Sequence, residues 1–342
     1  MGSPVFNISP LERYFVGPQT TFRTIPNTSG SWTTTGVKWL RGPRMTLTPN
    51  PGYEEAPYKT GTRSRVVGFM TRKNATWSLP NLPVILSGTP GTAPDMDPIL
   101  QSAFGQTSTG TTNNVYTFLD QGQVPFILGS YYLASVSETN RIAWGCIVET
   151  ITFRFNGNVF ECDASGGCGY VLDSDNFANE DTIGKAGLTA FPTIPTNTSV
   201  GNLQTGFTGT VSIDSTDRTA DLGNMTITVK TGNAIVADRF QDAYGIQVLG
   251  GMRVVSTAFS LLDSDSTASK ALKAKAKSRS PVDISLLIGN TAGYKATFAI
   301  KQVVLTPITF EDTATYVSQN FPEASAHASA GSNIDDLTLT LS

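Results

Sequence analysis

The amino-acid sequence predicts an all-β protein, mainly antiparallel, built as two tandem β-sandwich or barrel domains with a short α-helix flanking each. Three observations carry this. Only 15% of the 342 residues are charged and Gly alone numbers 32, which with abundant Ser and Thr suits strands and turns better than helices. Apolar and polar residues alternate in several stretches, the period of a half-buried strand. One order of elements, strand then capped helix then paired strands, also occurs twice. Residue identity between the two copies is slight, so the repeat is one of pattern.

Residues 1–31 are polar and rich in Pro and Thr, and read as an N-terminal arm outside the core. Residues 32–165 form the first expected domain. Val37, Trp39, Leu40, Met45 and Leu47 give its first strand signals. Residues 49–65 (PNPGYEEAPYKTGTRSR) then break the pattern with three prolines. A loop of that length in a compact domain is either functional or floppy, and Tyr53, Tyr58, Arg63 and Arg65 are residue types that interfaces favour. NATWSL at 74–79 reads as a strand. Asp97 is the expected N-cap of a helix that has Pro98 at its first position, Ile99, Leu100, Ala103 and Phe104 as its apolar stripe, and Gly105 as its stop. Strands are expected at 115–119, 126–136 and, as one element, 144–155.

Residues 166–204 are dense in Gly, Asn, Thr and Pro and read as a linker whose signature begins near Asp163. The second domain, 205–342, opens with Val211 and Ile213, then Met225, Ile227 and Val229 in alternation. Residues 233–245 (NAIVADRFQDAYG) occupy the place that 49–65 hold in the first domain. After a strand at 250–262, Ser266 or Thr267 is expected to cap a helix with Ala268, Ala271, Leu272 and Ala276 on one side and Lys270, Lys273 and Lys277 on the other. Lysines in the last turn suit the helix dipole. Beyond Pro281 the period falls to two: Val282, Ile284, Leu286 and Ile288, then Tyr294, Ala296, Phe298 and Ile300. The chain ends in a C-terminal arm and a closing strand carrying Ile334, Leu337, Leu339 and Leu341, whose edge is expected to stay open for a neighbouring subunit.

The chemistry is notable for what is missing. His327 is the one histidine, and no Gly-x-Ser-x-Gly elbow precedes a helix, which argues against acyl transfer. No His-x-x-x-His or Cys-x-x-Cys pair points to a metal. Cys146, Cys162 and Cys168 read as free or buried thiols, although Cys162 and Cys168 are close enough in sequence to pair. SGGCG at 165–169 lacks the Lys-Ser or Lys-Thr ending of a phosphate loop. Glu54, Glu55, Asp95 and Asp97 sit at turn-like or capping positions rather than as a catalytic pair. The run Lys270, Lys273, Lys275, Lys277 and Arg279 reads as the solvated face of a helix. A net charge of −3 gives no global basic footprint for gripping nucleic acid. No apolar run reaches the roughly 20 residues a membrane helix needs, and MGSPVFNISPLERYF does not read as a signal peptide. The chain is expected to be no enzyme and to carry no cofactor.

The succession DPILQSAFG with paired strands, and the closing series GGMRVVSTAFSLLD, LKAKAK, ISLLIGNTAGYKATF and NIDDLTLTL, resembles the major tail tube proteins of long-tailed, siphovirus-like bacteriophages. The likeness covers residues 32–160 and 205–342. It implies tube-type β-sandwich domains in a virion protein made in the host bacterial cytoplasm, whose rings stack into a hollow tube that double-stranded DNA traverses without specific binding. Tape measure, tail terminator and distal tail proteins are the implied partners. The resemblance makes 49–65 and 233–245 the stacking loops, with Tyr53, Glu54, Glu55, Tyr58, Arg63, Arg65, Arg239, Phe240, Asp242 and Tyr244 as inter-ring or inter-subunit contacts. It sets the helices at 97–105 and 267–277 on the side away from the lumen. Two tube domains in one chain favour a trimer with pseudo-sixfold symmetry over a hexamer. The competing expectation is a secreted or virion-surface β-sandwich that binds a carbohydrate or acts as an adhesin.

Overall fold

In the computed structural model the chain is described at residues 12–20, 22, 27–28, 31–32, 36–42, 44–50, 52–55, 68–70, 73–119, 124–132, 141–155, 159–173, 204, 208–236, 245, 247–306, 308–312, 315–332 and 335–342. The strands of its first half are β1 (Glu12–Pro18), β2 (Asn27–Thr28), β3 (Ser31–Trp32), β4 (Lys38–Leu40), β5 (Thr46–Asn50), β6 (Tyr53–Glu55), β7 (Gly68–Met70) and β8 (Asn74–Pro83). Helix α1 (Asp97–Phe104) follows, then β9 (Gly105–Thr109), β10 (Asn114–Phe118), β11 (Phe126–Tyr132), β12 (Arg141–Cys146), β13 (Thr150–Phe155), β14 (Glu161–Cys168) and β15 (Tyr170–Asp173). The second half holds β16 (Thr210–Ile213), β17 (Thr216–Asp217), β18 (Leu222–Lys230), β19 (Asn233–Val236), β20 (Gln247–Gly250) and β21 (Val254–Leu262). Helix α2 (Thr267–Ser278) leads to β22 (Pro281–Ile288), β23 (Ala296–Val304), β24 (Thr309–Asp312), β25 (Val317–Ser325) and β26 (Leu337–Leu341). The protein is all-β and antiparallel throughout its ladders, as its alternation implies.

The pairing order repeats. In the first half one sheet runs β4-β1-β11-β12-β15 and the other β5-β8-β14-β13. In the second half the matching orders are β17-β16-β22-β23-β26 and β18-β21-β25-β24. Element for element these correspond, with α1 and α2 at the same step and the β6–β7 and β19–β20 hairpins each joining the first two strands of the second sheet. The β9–β10 hairpin has no counterpart. It leaves the first half and adds to β26 of the second, pairing Asn114 with Leu341 and Tyr116 with Leu339.

Several elements differ from the sequence reading, each for a physical reason. The segment read as an arm contains β1, which is central in its sheet and buries Tyr14, Phe15 and Val16 between β4 and β11. The linker signature at SGGCG is the end of β14 and the one-residue bend, Gly169, that leads into β15. Here glycine marks close packing rather than a turn: a Cβ on Gly166 would stand 2.0 Å from the Ile147 carbonyl oxygen, and one on Gly169 2.2 Å from the Trp144 ring. Nearby, the Trp77 indole N–H donates to the carbonyls of Ile147 (3.0 Å) and Gly167 (3.1 Å). The single strand expected at 144–155 is two, β12 and β13, broken at residues 147–149, just past Gly145, which takes φ +60° inside the end of β12. The closing strand is not an open edge: β26 is paired on both sides, by β23 and β10.

The helices are also corrected in detail. Met96, not Asp97, is the N-cap of α1, and Pro98 falls one step later than expected. The Asp97 carboxylate is used instead by the Tyr116 hydroxyl (2.6 Å) and the Gln101 amide (2.7 Å). Burial raises its pKa, against those two hydrogen bonds and the charge of Lys38. Gly105 ends the helix in the left-handed conformation, as expected. Ser266 caps α2, accepting from the Ser269 N–H at 3.2 Å. Its inward stripe is Ser269, Leu272 and Ala276, while Ala271 is exposed. The lysine face is solvated and ion-paired: Lys270 to Asp265, Lys273 to Asp263 and Lys275 to Asp214.

Candidate assembly surfaces

The two halves meet edge to edge. Strand β13, last in the first half's second sheet, pairs antiparallel with β18, first in the second half's, over six residues from Thr150↔Lys230 to Phe155↔Met225. Alternation then sorts the side chains into two faces. Toward the core, Ile151, Phe153 and Phe155 meet Val229, Ile227 and Met225, all buried. Phe298 of β23 closes the joint from beneath, with ring centroids 5.0 Å from Phe153, 5.3 Å from Phe155 and 5.8 Å from Phe160. On the other face the Thr152 and Thr228 hydroxyls bond across the seam at 3.2 Å. Threonine 231 extends the joint, its amide donating to the Glu149 carbonyl (2.9 Å) and its hydroxyl to that of Val148 (2.6 Å). A second tie lies at the β10–β26 ladder, where the Arg253 guanidinium rests 3.9 Å from the Phe118 ring centroid and pairs with Asp336 at 3.1 Å.

The seam makes one continuous antiparallel sheet, β5-β8-β14-β13-β18-β21-β25-β24. Its face away from the core is a field of small hydroxyls arranged in cross-strand rows. One row runs Thr46, Ser78, Ser165, Thr150 and Lys230. Another continues Asp163, Thr152, Thr228, Ser256 and Ser325. On β8, β14, β13, β18 and β21 the charges of this face are Glu161, Asp163, Arg154 and Lys230. Arg154 is taken up locally by Asp163, Asn81 and, at 3.6 Å, Glu161.

Both ends of this sheet are edges. Among the described residues β5 pairs with β8 alone and β24 with β25 alone. All four residues of β24 are exposed, and Phe310 on its core-side face is 60% exposed. Leu262, Tyr316 and Val317 are exposed beside it. The apolar residues on and after β20, Leu249, Met252 and Val254, are exposed as well, Met252 at 85%.

Of the contact residues read from sequence, the structure places Tyr53, Glu54 and Glu55 on β6 of the first hairpin. Tyr53 is exposed, and a Cβ on Gly68 would stand 1.7 Å from its hydroxyl, so the ring lies across the opposing strand at a position that only glycine leaves clear. Glu54 is exposed. Tyr58, Arg63, Arg65, Arg239, Phe240, Asp242 and Tyr244 lie outside the described residues. The sequence reading missed Phe310 and the Leu249–Met252 group. Their signal was an aromatic in the polar stretch PITFED and a methionine after Gly-Gly, both weak alone.

Nothing described here converges on chemistry. Among the described residues no group of three or more His, Cys, Asp or Glu side chains could hold a metal, and no helix is long and apolar enough to cross a membrane. His327 is exposed. A cleft of about 180 Å³ at the mouth of the second sandwich is lined mainly by apolar groups, among them Phe155, Val211, Leu222, Leu286 and Ile288. All three cysteines are buried and free. Cys168 lies against Cys146 rather than Cys162, and burial, then Cys168 beside it, pushes the Cys146 thiol well up. Burial likewise raises Cys162.

No family model and no curated protein sequence matches the chain. Among solved structures it is similar to a chain of the virion of the native gene transfer agent particle, at 18% identity over 36% of this chain and 95% of that one, with a TM-score of 0.30. It is also similar to a chain from the tail of the empty gene transfer agent particle, solved by helical refinement in C6 symmetry, at 14% identity over 38% of this chain and 85% of that one, with a TM-score of 0.23.

Proposed function

We propose that this protein is the structural subunit of a bacteriophage tail tube, a non-enzymatic virion protein that polymerises into stacked rings around a channel for double-stranded DNA. The observation that carries the reading is the seam. Two units of the same strand order stand side by side in one sheet, and among the described residues the strand at each end of that sheet, β5 and β24, is paired on one side alone. A monomer gains nothing from two open edges, which invite aggregation; a polymer uses them. Three chains supply six such domains, a trimer with pseudo-sixfold symmetry.

The hydroxyl face suits a DNA conduit. Tight phosphate binding needs several unpaired cations, since each neutralised phosphate adds to affinity by counterion release. Arg154 is engaged by Asp163 and Glu161 on its own sheet, and the rows around it are Ser and Thr apart from Asp163 and Lys230. Such a face stays wet and does not hold the duplex. The hairpins β6–β7 and β19–β20, placed alike in each half, are the ring-stacking elements, with Tyr53 and Met252 exposed on or beside them. Tape measure, terminator and distal tail proteins would meet the ends of such a tube.

The test is negative-stain electron microscopy of the isolated chain at rising concentration. Hollow tubes or stacked rings are expected, and replacing Tyr53 and Tyr58 by Ala should leave rings that do not stack. A compact monomer at every concentration that binds glycans would overturn the reading in favour of a surface binding module.

A further inference from the structure

The geometry points to Cys146 and Cys168 as an oxidation site, a dithiol that closes into a disulfide and staples together the two sheets of the first half. The inference does not depend on the tube reading. Backbone hydrogen bonds set the two residues opposite each other. The Ile147 N–H donates to the Gly167 carbonyl at 3.0 Å, and the Gly169 N–H to the Trp144 carbonyl at 2.9 Å. Between those bonds two residues, Gly145 and Cys146, face one, Cys168. This is a β-bulge whose first residue is a glycine in the left-handed conformation, at φ +60°. Opposed residues flanked by such bonds form the close kind of antiparallel pair, with Cα atoms about 4.5 Å apart. A disulfide spans about 4.4–6.8 Å between Cα atoms.

Both side chains turn inward and are fully buried. Cys168 lies beside Ala75 of β8, and Cys146 beside Phe126 of β11. The row Ala75, Cys168, Cys146, Phe126 thus crosses from one sheet of the first half into the other. The corner is held in place on each strand. The Gln19 side-chain carbonyl accepts from the Gly145 N–H at 2.8 Å, and the Trp77 indole bridges the Ile147 and Gly167 carbonyls. Cys162 cannot take part, since it stands roughly 20 Å from Cys168 along an extended strand.

A buried pair admits only a small neutral oxidant, and hydrogen peroxide is of that class. One sulfur attacks peroxide, the O–O bond breaks, and a sulfenic acid and water result. The second sulfur then attacks the first: the S–S bond forms, the S–O bond breaks, and the hydroxyl leaves with the second thiol's proton as water. Each sulfur gives up one electron, and peroxide takes both to become two waters. Burial, with Cys168 beside it, holds Cys146 as a thiol at neutral pH, which makes the reaction slow. In a reducing compartment the pair stays open. In oxidising surroundings it closes residues 146–168 into a loop. That loop is the β13–β14 hairpin, and β13 carries the seam to β18, so the staple anchors the joint between the halves.

The test treats the full chain with hydrogen peroxide, unfolds it, blocks free thiols with iodoacetamide and maps the peptides by mass spectrometry. A pair of peptides joined through Cys146 and Cys168 and released by dithiothreitol is expected, with Cys162 recovered as a blocked thiol. Exposed Met252 sets the dose. Two free thiols at 146 and 168 once Met252 has become its sulfoxide would overturn the site, as would a bond to Cys162. The oxidised chain, followed by tryptophan fluorescence, should unfold about 5–10 °C above the same sample reduced with dithiothreitol, which leaves the sulfoxide in place. An unchanged or lower midpoint in the linked chain would overturn a pair already set for the bond.

Discussion

The two halves of this protein use the same strand order with different packing, and the difference shows what a sequence pattern can carry. In the second half the sheets are regular: β18, β21, β22 and β26 alternate buried and open residues along nearly their whole length. In the first half large rings are set against glycines. Trp144 occupies the space beside Gly169, Phe15 that beside Gly129, and Trp77 lies edge-on to Phe126 at 5.3 Å. Both halves have alternating strands and buried rings, such as the stacked Phe259 and Phe321 of the second, but the first also sets rings directly against backbone that only glycine leaves clear. Fitted pairs tolerate less change, since interiors are close-packed and neither cavities nor extra atoms relax away.

The largest expected effect falls where the halves join. Phe298 belongs to the second half, is fully buried, and contacts three phenylalanines of the first. Phe298→Ala should cost about 3–5 kcal/mol, the usual range for emptying such a site. It should also split unfolding into two transitions. All four tryptophans (Trp32, Trp39, Trp77 and Trp144) lie in the first half, so fluorescence follows that half alone and circular dichroism follows both. Coincident fluorescence and dichroism curves in the variant would mean the joint is not what couples the halves.

The legibility of the fold follows from the same contrast. Val282, Ile284, Leu286 and Ile288 were readable because each adds a buried side chain at period two. Strands β14 and β15 were not, because SGGCGY spells a turn by composition, and only the Trp144 ring and the Ile147 carbonyl explain its glycines. Residues so distant in sequence leave no periodic trace of their contact. The break between β12 and β13 was hidden for a related reason: its one polar signal, the exposed Glu149 ahead of half-buried Thr150, runs directly into the alternation of β13 and so reads as strand. For the assembly surfaces, the hairpin carrying Tyr53 was visible as a loop rich in interface residue types. The edge strand β24 was not, since a four-residue exposed strand has no hydrophobic pattern to read.

A smaller effect tests the fitted-pair account directly. Gly166→Val would drive a side chain into the Ile147 carbonyl oxygen, backbone that cannot swing aside, and should destabilise the first half by about 1–3 kcal/mol or more. The comparison substitution Ser260→Val, on the open hydroxyl face of β21, should stay within about 0.5 kcal/mol. Urea denaturation followed by tryptophan fluorescence and dichroism separates the two. Equal losses would remove the distinction between the halves.

The smallest effect belongs to the second half's surface. Asp263 accepts from Lys273 of α2 at 2.7 Å and from the Gln319 amide, so it ties the helix to β25. The Lys273 hydrogen bond, opposed by partial burial and assisted by Gln319, holds its carboxyl below the ordinary 3.8. The sign follows from proton binding. Near and below 3.8 the unfolded chain takes up a proton more readily than the folded one, so folding is favoured by the charged form. The stabilisation is complete above the unfolded value and is lost as pH falls through the lower folded one. Because both side chains are partly exposed, the pair is screened and its coupling should be about 0.2–1 kcal/mol. A double-mutant cycle with Asp263→Asn and Lys273→Met, measured at neutral pH and again at the lowest pH the fold survives below 3.8, should show that coupling in the first condition and less of it in the second. Coupling that persists undiminished well below pH 3 would assign the contact to packing of the lysine stem, 5.4 Å from the Phe310 ring centroid at its ammonium, rather than to charge.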